Sequence, residues 1–207
     1  MAVEQEISYF LDEYLYLKHD ILKTYHRVKD RDSQLRGIDC TLRHKGKDII
    51  IDEKAASQYI NSRLSTFAFE LGSYQRSGYI DGWLIDETKE TTHYLLIWIQ
   101  TLKPCDRRAW INKNDIKMLE CLLIRRNDIL LYLQNQGFSK ENLINKRNDI
   151  LKTGTFGPID KNNLSEFYFF NTKDLQEAPV NVIIKKNKLK QISIKHWLVS
   201  RESIVVC

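Results

Sequence analysis

The chain has 207 residues, 43% of them apolar and 29% charged, enough apolar material for one packed domain with a small appendage and too much for a disordered chain. With 32 Lys and Arg against 27 Asp and Glu, its net charge is +5, a mild basic lean that permits a polyanionic partner without the excess of a chromatin-type binder. Eight Gly and three Pro exclude collagen-like, linker-rich and low-complexity architectures.

In chain order, Ile7, Phe10, Leu11, Tyr14, Leu17, Ile21 and Leu22 recur at helical spacing, which predicts an amphipathic helix from Val3 to Tyr25. A polar connection, His26 to Arg36, ends at Gly37. Ile38–Leu42 and Asp48–Asp52 then flank His44-Lys45-Gly46-Lys47, the pattern of a β-hairpin. Helical spacing returns over Ser57–Leu71, strands are expected at Gly82–Asp86 and Tyr94–Leu102, and the second is apolar enough for the middle of a sheet. A helical insertion is expected over 113–151, in two stretches joined at Gln136-Gly137 with Ser139 as an N-cap. Arg126-Asn127-Asp128-Ile129-Leu130 recurs as Arg147-Asn148-Asp149-Ile150-Leu151; two copies are too few for a repeat architecture. Phe167–Phe170, Val180–Lys185 and Leu189–Ile194 complete the reading as strands, the last two a hairpin around Lys186-Asn187-Lys188. Its lysines, Lys185, Lys186, Lys188, Lys190 and Lys195, read as guards on an edge strand, with a phosphate-contacting face as the alternative. This order of elements describes an α+β, or mixed α/β, chain.

Cys40, Cys105, Cys121 and Cys207 are scattered without a C-x-x-C pair, so neither a zinc module nor a disulfide framework is expected and a reducing compartment fits. Val3-Glu4-Gln5-Glu6 lacks the basic start and apolar core of a signal peptide, and the longest apolar run, Tyr94–Ile99, is far too short to span a bilayer. The expected location is the cytoplasm, with no membrane partner. The five histidines form no ligand or triad spacing and read as surface residues. Glu70 reads as the exposed turn of a helix. P-loop, Rossmann and nucleophile-elbow motifs do not occur in the sequence.

The hairpin carries the chemistry. A loop at Lys45-Gly46 pairs His44 with Lys47, and the same register sets Asp39 opposite Asp52, with Cβ atoms of opposed residues about 5 Å apart. Alternation puts Lys54 on the face of Asp52, while Ile38, Cys40, Leu42, Ile49 and Ile51 line the other. Two opposed carboxylates raise one another's proton affinity unless a cation sits between them. Mg²⁺ suits such a place, because it takes hard oxygen ligands and is held by one or two carboxylates plus water and phosphate oxygens.

Asp39, twelve intervening residues, then Asp52-Glu53-Lys54 at the end of an apolar strand, all after an N-terminal helix, resemble the PD-(D/E)xK nuclease superfamily. The resemblance covers residues 1 to about 102. It implies a restriction-endonuclease-like core, a mixed sheet flanked by helices, within a single domain over 1–207. It further implies hydrolysis of DNA phosphodiester bonds dependent on Mg²⁺ or Mn²⁺, by an endonuclease or an exonuclease. Asp39 and Asp52 would hold the metal, the main-chain carbonyl of Glu53 would add a ligand, and Lys54 would orient the attacking water. Glu6 and Glu13 are both candidates for the helical glutamate that completes some sites of this kind. Gln58, Tyr59 and Arg63, on the helix expected after the signature, are the candidates for contacts to DNA. Gly37-Ile38 stands where the signature has its proline, and Gln58 is followed at once by Tyr59, unlike the Gln-x-x-x-Tyr of one subfamily. A homodimer is compatible with this reading. The rival reading is a catalytically inactive nucleic-acid-binding or assembly protein that keeps the fold.

Overall fold

The computed structural model describes residues 2–18, 24–44, 46–75, 78–106, 109–160, 166–172 and 178–207. In chain order they form helix α1 (Ala2–Leu11), continued by a π-helical turn (Asp12–Tyr16), then β1 (His26–Arg27), α2 (Arg31–Leu35), β2 (Cys40–His44), β3 (Lys47–Ala55), β4 (Thr66–Gln75), β5 (Gly78–Asp81), β6 (His93–Thr101) and β7 (Ile116–Arg125). The remainder are α3 (Arg126–Asn135), α4 (Lys140–Thr153), β8 (Gly157–Ile159), β9 (Phe167–Asn171), β10 (Val180–Lys185), α5 (Lys186–Ile192), β11 (Lys195–Val199) and β12 (Ile204–Val206). The chain is an α+β protein with a mixed sheet. Among the described residues no helix is long and apolar enough to cross a membrane.

Where the sequence suggests one domain, the chain divides into two compact units. The first comprises Met1–Leu64, Glu90–Arg125 and Ser193–Cys207; the second comprises Ser65–Lys89 and Arg126–Ile192. The first unit is built on a seven-stranded sheet in the order β1-β2-β3-β6-β7-β11-β12, in which only β3 and β6 run parallel. One face of it packs against α1. Ile7, Phe10, Leu11, Leu15 and Tyr16 meet Cys40, Leu42, Ile51, Leu95, Ile97, Cys121 and Trp197 there, all almost fully buried. Tyr94, Leu96, Leu122 and Ile124, which alternate with those residues on the opposite face, are buried as well. Burial on both faces is why β6 and β7 read as continuous apolar runs.

The second unit has a five-stranded antiparallel sheet, β5-β4-β10-β9-β8. Its buried residues include Phe67, Phe69 and Leu71 of β4, Phe167 and Phe169 of β9, and Ile129, Leu133, Leu143 and Ile150 of α3 and α4. Ser139 caps α4 as expected, accepting from the Asn142 N–H at 3.2 Å.

Four expected elements are corrected. The stretch Ser57–Leu71 is a 3-10 turn at Ser57–Tyr59 followed by β4; Asn61 and Arg63 adopt positive φ of 58° and 49°, which stops a helix, and Phe67, Phe69 and Leu71 are buried at period two. The expected helical insertion at 113–151 holds a single 3-10 turn at Lys113–Asp115 and is α-helical only from Arg126, because Ile116–Arg125 is the interior strand β7; its Ile116, Leu119, Leu122 and Leu123 imitate helical spacing. Gly82–Asp86 is a turn rather than a strand. Lys186–Ile192 is α5 rather than half of a hairpin. Part of the expected first helix, residues 19–23, lies outside the described residues, as does Lys45 of the hairpin loop.

Candidate functional site

The hairpin register is the expected one: His44 pairs with Lys47, Arg43 with Asp48, Thr41 with Ile50 and Cys40 with Ile51. Asp39 is delivered to the end of this ladder by α2. Asp30 caps that helix through the Ser33 N–H at 2.8 Å, and Gly37 ends it at φ +78°, a left-handed conformation natural to glycine and closed to proline. The next N–H, of Ile38, donates to the Ser33 carbonyl at 3.1 Å. A proline at either position would lose these features.

At Asp39 the ladder slips by one residue. Its N–H donates to the Ile51 carbonyl at 2.9 Å, and its carboxylate Oδ2 takes the N–H of Glu53 at 2.7 Å, where a main-chain acceptor would otherwise stand. N–H and C=O of one strand residue point to the same edge. The Glu53 carbonyl therefore also faces the edge beyond the end of β2, beside Asp39. Asp52 is only 3% exposed, and the Lys54 ammonium lies 2.7 Å from its Oδ1. Burial first, then the charges of Asp52 and Glu53, push the Asp39 carboxyl up to about 7, against the lowering effect of the Glu53 N–H and Lys54. Asp52 and Lys54 thus share one face of β3, and Asp39, bound to the Glu53 N–H, lies close enough for the Asp52 charge to act on its carboxyl.

The side chain of Glu53 does not join them. Strand alternation turns it to the α1 face, where it is 6% exposed and accepts from Ser8 Oγ at 3.0 Å, Tyr16 Oη at 2.8 Å and Arg27 Nη1 at 2.8 Å. Arg27 also grips Asp12, its Nε 3.1 Å from Oδ1, and lies over the Tyr16 ring. Burial works against its charge, yet the Glu53 and Asp12 carboxylates leave the guanidinium even harder to deprotonate than usual. This buried network is not among the sequence-based expectations. A glutamate at a core-facing strand position between Ile51 and Ala55 was the available signal, since such a charge requires a buried partner; nothing in the polar stretch after residue 25 marked Arg27 as that partner.

Neither helical glutamate completes the site. Glu6 accepts from the Lys113 main chain at 2.8 Å and Glu13 pairs with the Lys113 ammonium at 2.9 Å. Both belong to the helical layer on the face opposite Asp52. Among the described residues no group of three or more His, Cys, Asp or Glu side chains is arranged to hold a metal. The donor set consists of two carboxylates and the adjacent Glu53 carbonyl. That set fits Mg²⁺ or Mn²⁺, which commonly take one or two carboxylates and fill the remaining positions with water and phosphate. Gln58 and Tyr59 are exposed on the 3-10 turn after β3, and Arg63 is exposed in the following loop, so the three are not on a helix.

Fold and site together define an α+β protein carrying a buried carboxylate, Asp52, a partly buried one, Asp39, and a lysine at the end of a hairpin. No family model, curated protein or solved structure matches the chain.

Proposed function

We propose that the protein is a Mg²⁺- or Mn²⁺-dependent nuclease of the PD-(D/E)xK kind, acting on DNA in the cytoplasm. The observation that carries the proposal is the clustering of Asp39, Asp52 and Lys54 at the end of the hairpin, with Lys54 in contact with Asp52 and Asp39 bound to the Glu53 N–H. In this reading Asp39 and Asp52 hold the cation through carboxylate oxygens, with the Glu53 carbonyl alongside. When bound, the metal supplies a more acidic water and a counter-charge for the phosphodiester. Lys54 is displaced from Asp52 toward the attacking water and the phosphoryl oxygens, where its ammonium orients the one and neutralises the other. Gln58, Tyr59 and Arg63 supply contacts to the phosphodiester backbone next to the site.

Asp52→Asn should abolish metal-dependent cleavage of plasmid and single-stranded DNA, and Lys54→Ala should lower kcat by about 10²–10⁴-fold, with circular dichroism unchanged in both. Undiminished cleavage by either variant overturns the proposal.

A second reading has its own support. Asp39 serves as the acceptor for the Glu53 N–H and Asp52 is already paired with Lys54, so the trio also satisfies itself as a structural strand end in a binding protein that lacks catalysis. Calorimetry with Mn²⁺ separates the two: heat of binding that disappears in Asp39→Asn favours the nuclease, and no binding by the wild type favours the alternative.

A further inference from the structure

Side chains on a strand alternate, so a residue held on one face fixes its neighbours on the other. Glu53 lies between the two site residues of β3, and its carboxylate is held by three donors at 2.8–3.0 Å. Two of those donors come from the helical layer, Ser8 from α1 and Tyr16 from the π-helical turn; the third, Arg27, comes from the edge strand β1. Asp12, on that same turn, holds Arg27 from its other side. The turn is closed by the Leu17 N–H donating to the Asp12 carbonyl at 3.2 Å.

Stability alone is a poor explanation for this arrangement. A buried ion pair recovers little more than its desolvation cost, and apolar residues of the same volume commonly do as well. The π-helical turn is a second, independent observation, for such turns are rare and concentrate at functional sites. Here it brings Asp12 and Tyr16 of one five-residue segment onto the same guanidinium and carboxylate. Both features converge on the residue whose main chain runs from Asp52 to Lys54.

We infer that Arg27, Tyr16 and Ser8 are positioning residues for the metal-binding strand: by locking Glu53 on the α1 face they fix the direction of the Asp52 carboxylate, the Glu53 carbonyl and the Lys54 ammonium on the other. The inference rests on the nuclease reading. Groups that orient metal ligands shift metal affinity or turnover by about 10–100-fold when altered, because small misplacements of ligands and water are amplified in the rate; here the orientation is passed on through the Glu53 main chain.

The test uses the full chain and four variants, Tyr16→Phe, Ser8→Ala, Arg27→Lys and Ile116→Val. The first three remove one donor or the planar fork while keeping bulk or charge. Ile116→Val trims the buried core that Tyr16 also joins, at a side chain that makes none of the network's hydrogen bonds. Mn²⁺ affinity is measured by calorimetry, kcat and KM on DNA, and the thermal midpoint by circular dichroism. Tyr16→Phe and Arg27→Lys should weaken Mn²⁺ binding and lower kcat by about tenfold or more with KM for DNA unchanged, whereas Ile116→Val should leave both at wild-type values. Should Arg27→Lys fail to fold, Tyr16→Phe and Ser8→Ala carry the comparison. Wild-type Mn²⁺ affinity and kcat in the folded network variants, or equal losses in Ile116→Val, overturn the positioning role while leaving the nuclease reading in place. A wild-type protein that neither binds Mn²⁺ nor cleaves DNA overturns both.

Discussion

Asp39 is asked to do two things that pull in opposite directions. Its carboxylate accepts the Glu53 N–H at 2.7 Å, which favours the charged form, but it is largely buried among anions, and the balance leaves it titrating near 7. In the unfolded chain the same group ionises at its ordinary value of 3.8. Between those two values the folded state binds more protons than the unfolded one, so the contribution of Asp39 to stability is full below about pH 4 and is lost as pH rises toward 7. Asp39→Asn keeps an acceptor for the Glu53 N–H and removes the charge. Its thermal midpoint should exceed that of the wild type at pH 8, with the gap narrowing as pH falls below 7 and closing by about pH 4, in melts without divalent metal. Added Mn²⁺ should raise the wild-type midpoint at pH 8 and leave the variant unmoved; equal midpoints across the range would contradict the raised proton affinity of Asp39. At this scale the sequence was legible wherever alternation and a short loop set the geometry. The loop at Gly46 fixed the register from Cys40 to His44 and with it the shared face of Asp52 and Lys54; the slip at Asp39, which sends its N–H to the Ile51 carbonyl, was not legible. The sequence was silent on Glu53's partners because an arginine on a two-residue edge strand looks the same in sequence as one in a loop.

Individual elements show where periodicity misleads. β4 and β7 both imitate helical spacing in part, and both are buried strands: Phe69 between Phe67 and Leu71 breaks the helical pattern in the first, and Cys121 beside Leu122 and Leu123 breaks it in the second. What separates strand from helix at such places is partner availability, which lies far away in the chain, at β10 for β4 and at β6 and β11 for β7. The five-residue echo also gains meaning at this scale. Arg126 opens α3 and donates to the carbonyls of Leu84 and Lys89 at 3.0 and 3.2 Å; Arg147 on α4 donates to the Leu71 carbonyl at 3.1 Å and pairs with Asp81. Ile129 and Ile150, three residues after each arginine, are both buried. The two copies therefore perform one task, pinning the segment between Leu71 and Lys89 to the helices of the second unit. The same segment is crowded at Gly82, where a Cβ would stand 2.3 Å from the Glu70 carbonyl oxygen and 2.6 Å from the Gly72 nitrogen. Gly82→Ala should destabilise the protein by about 1–3 kcal/mol, read as a lower urea midpoint with the far-ultraviolet spectrum retained.

For the whole molecule, the net charge of +5 is a mild attraction for a nucleic acid, since the buried carboxylates Asp52 and Glu53 are matched by Lys54 and Arg27. If DNA binds as proposed, its affinity should fall linearly in log–log terms with added salt, and Arg63→Ala should flatten that slope by about 0.9, as expected when one phosphate fewer is neutralised. A slope unchanged by the substitution would remove Arg63 from the interface. The division into two units was not legible, since neither is a continuous stretch of sequence. The chain leaves the first unit at Leu64, returns at Glu90, leaves again at Arg125 and returns at Ser193. That itinerary dictates a folding order. β3 cannot find β6 until the strands β4 and β5 between them have been made, and β7 lacks its neighbour β11 until the long second piece of the other unit is complete. Pairings so distant in sequence close slowly. During synthesis the β7 edge waits unpaired while α3 to α5 emerge, so the interval before β11 appears is when this chain most needs protection from aggregation.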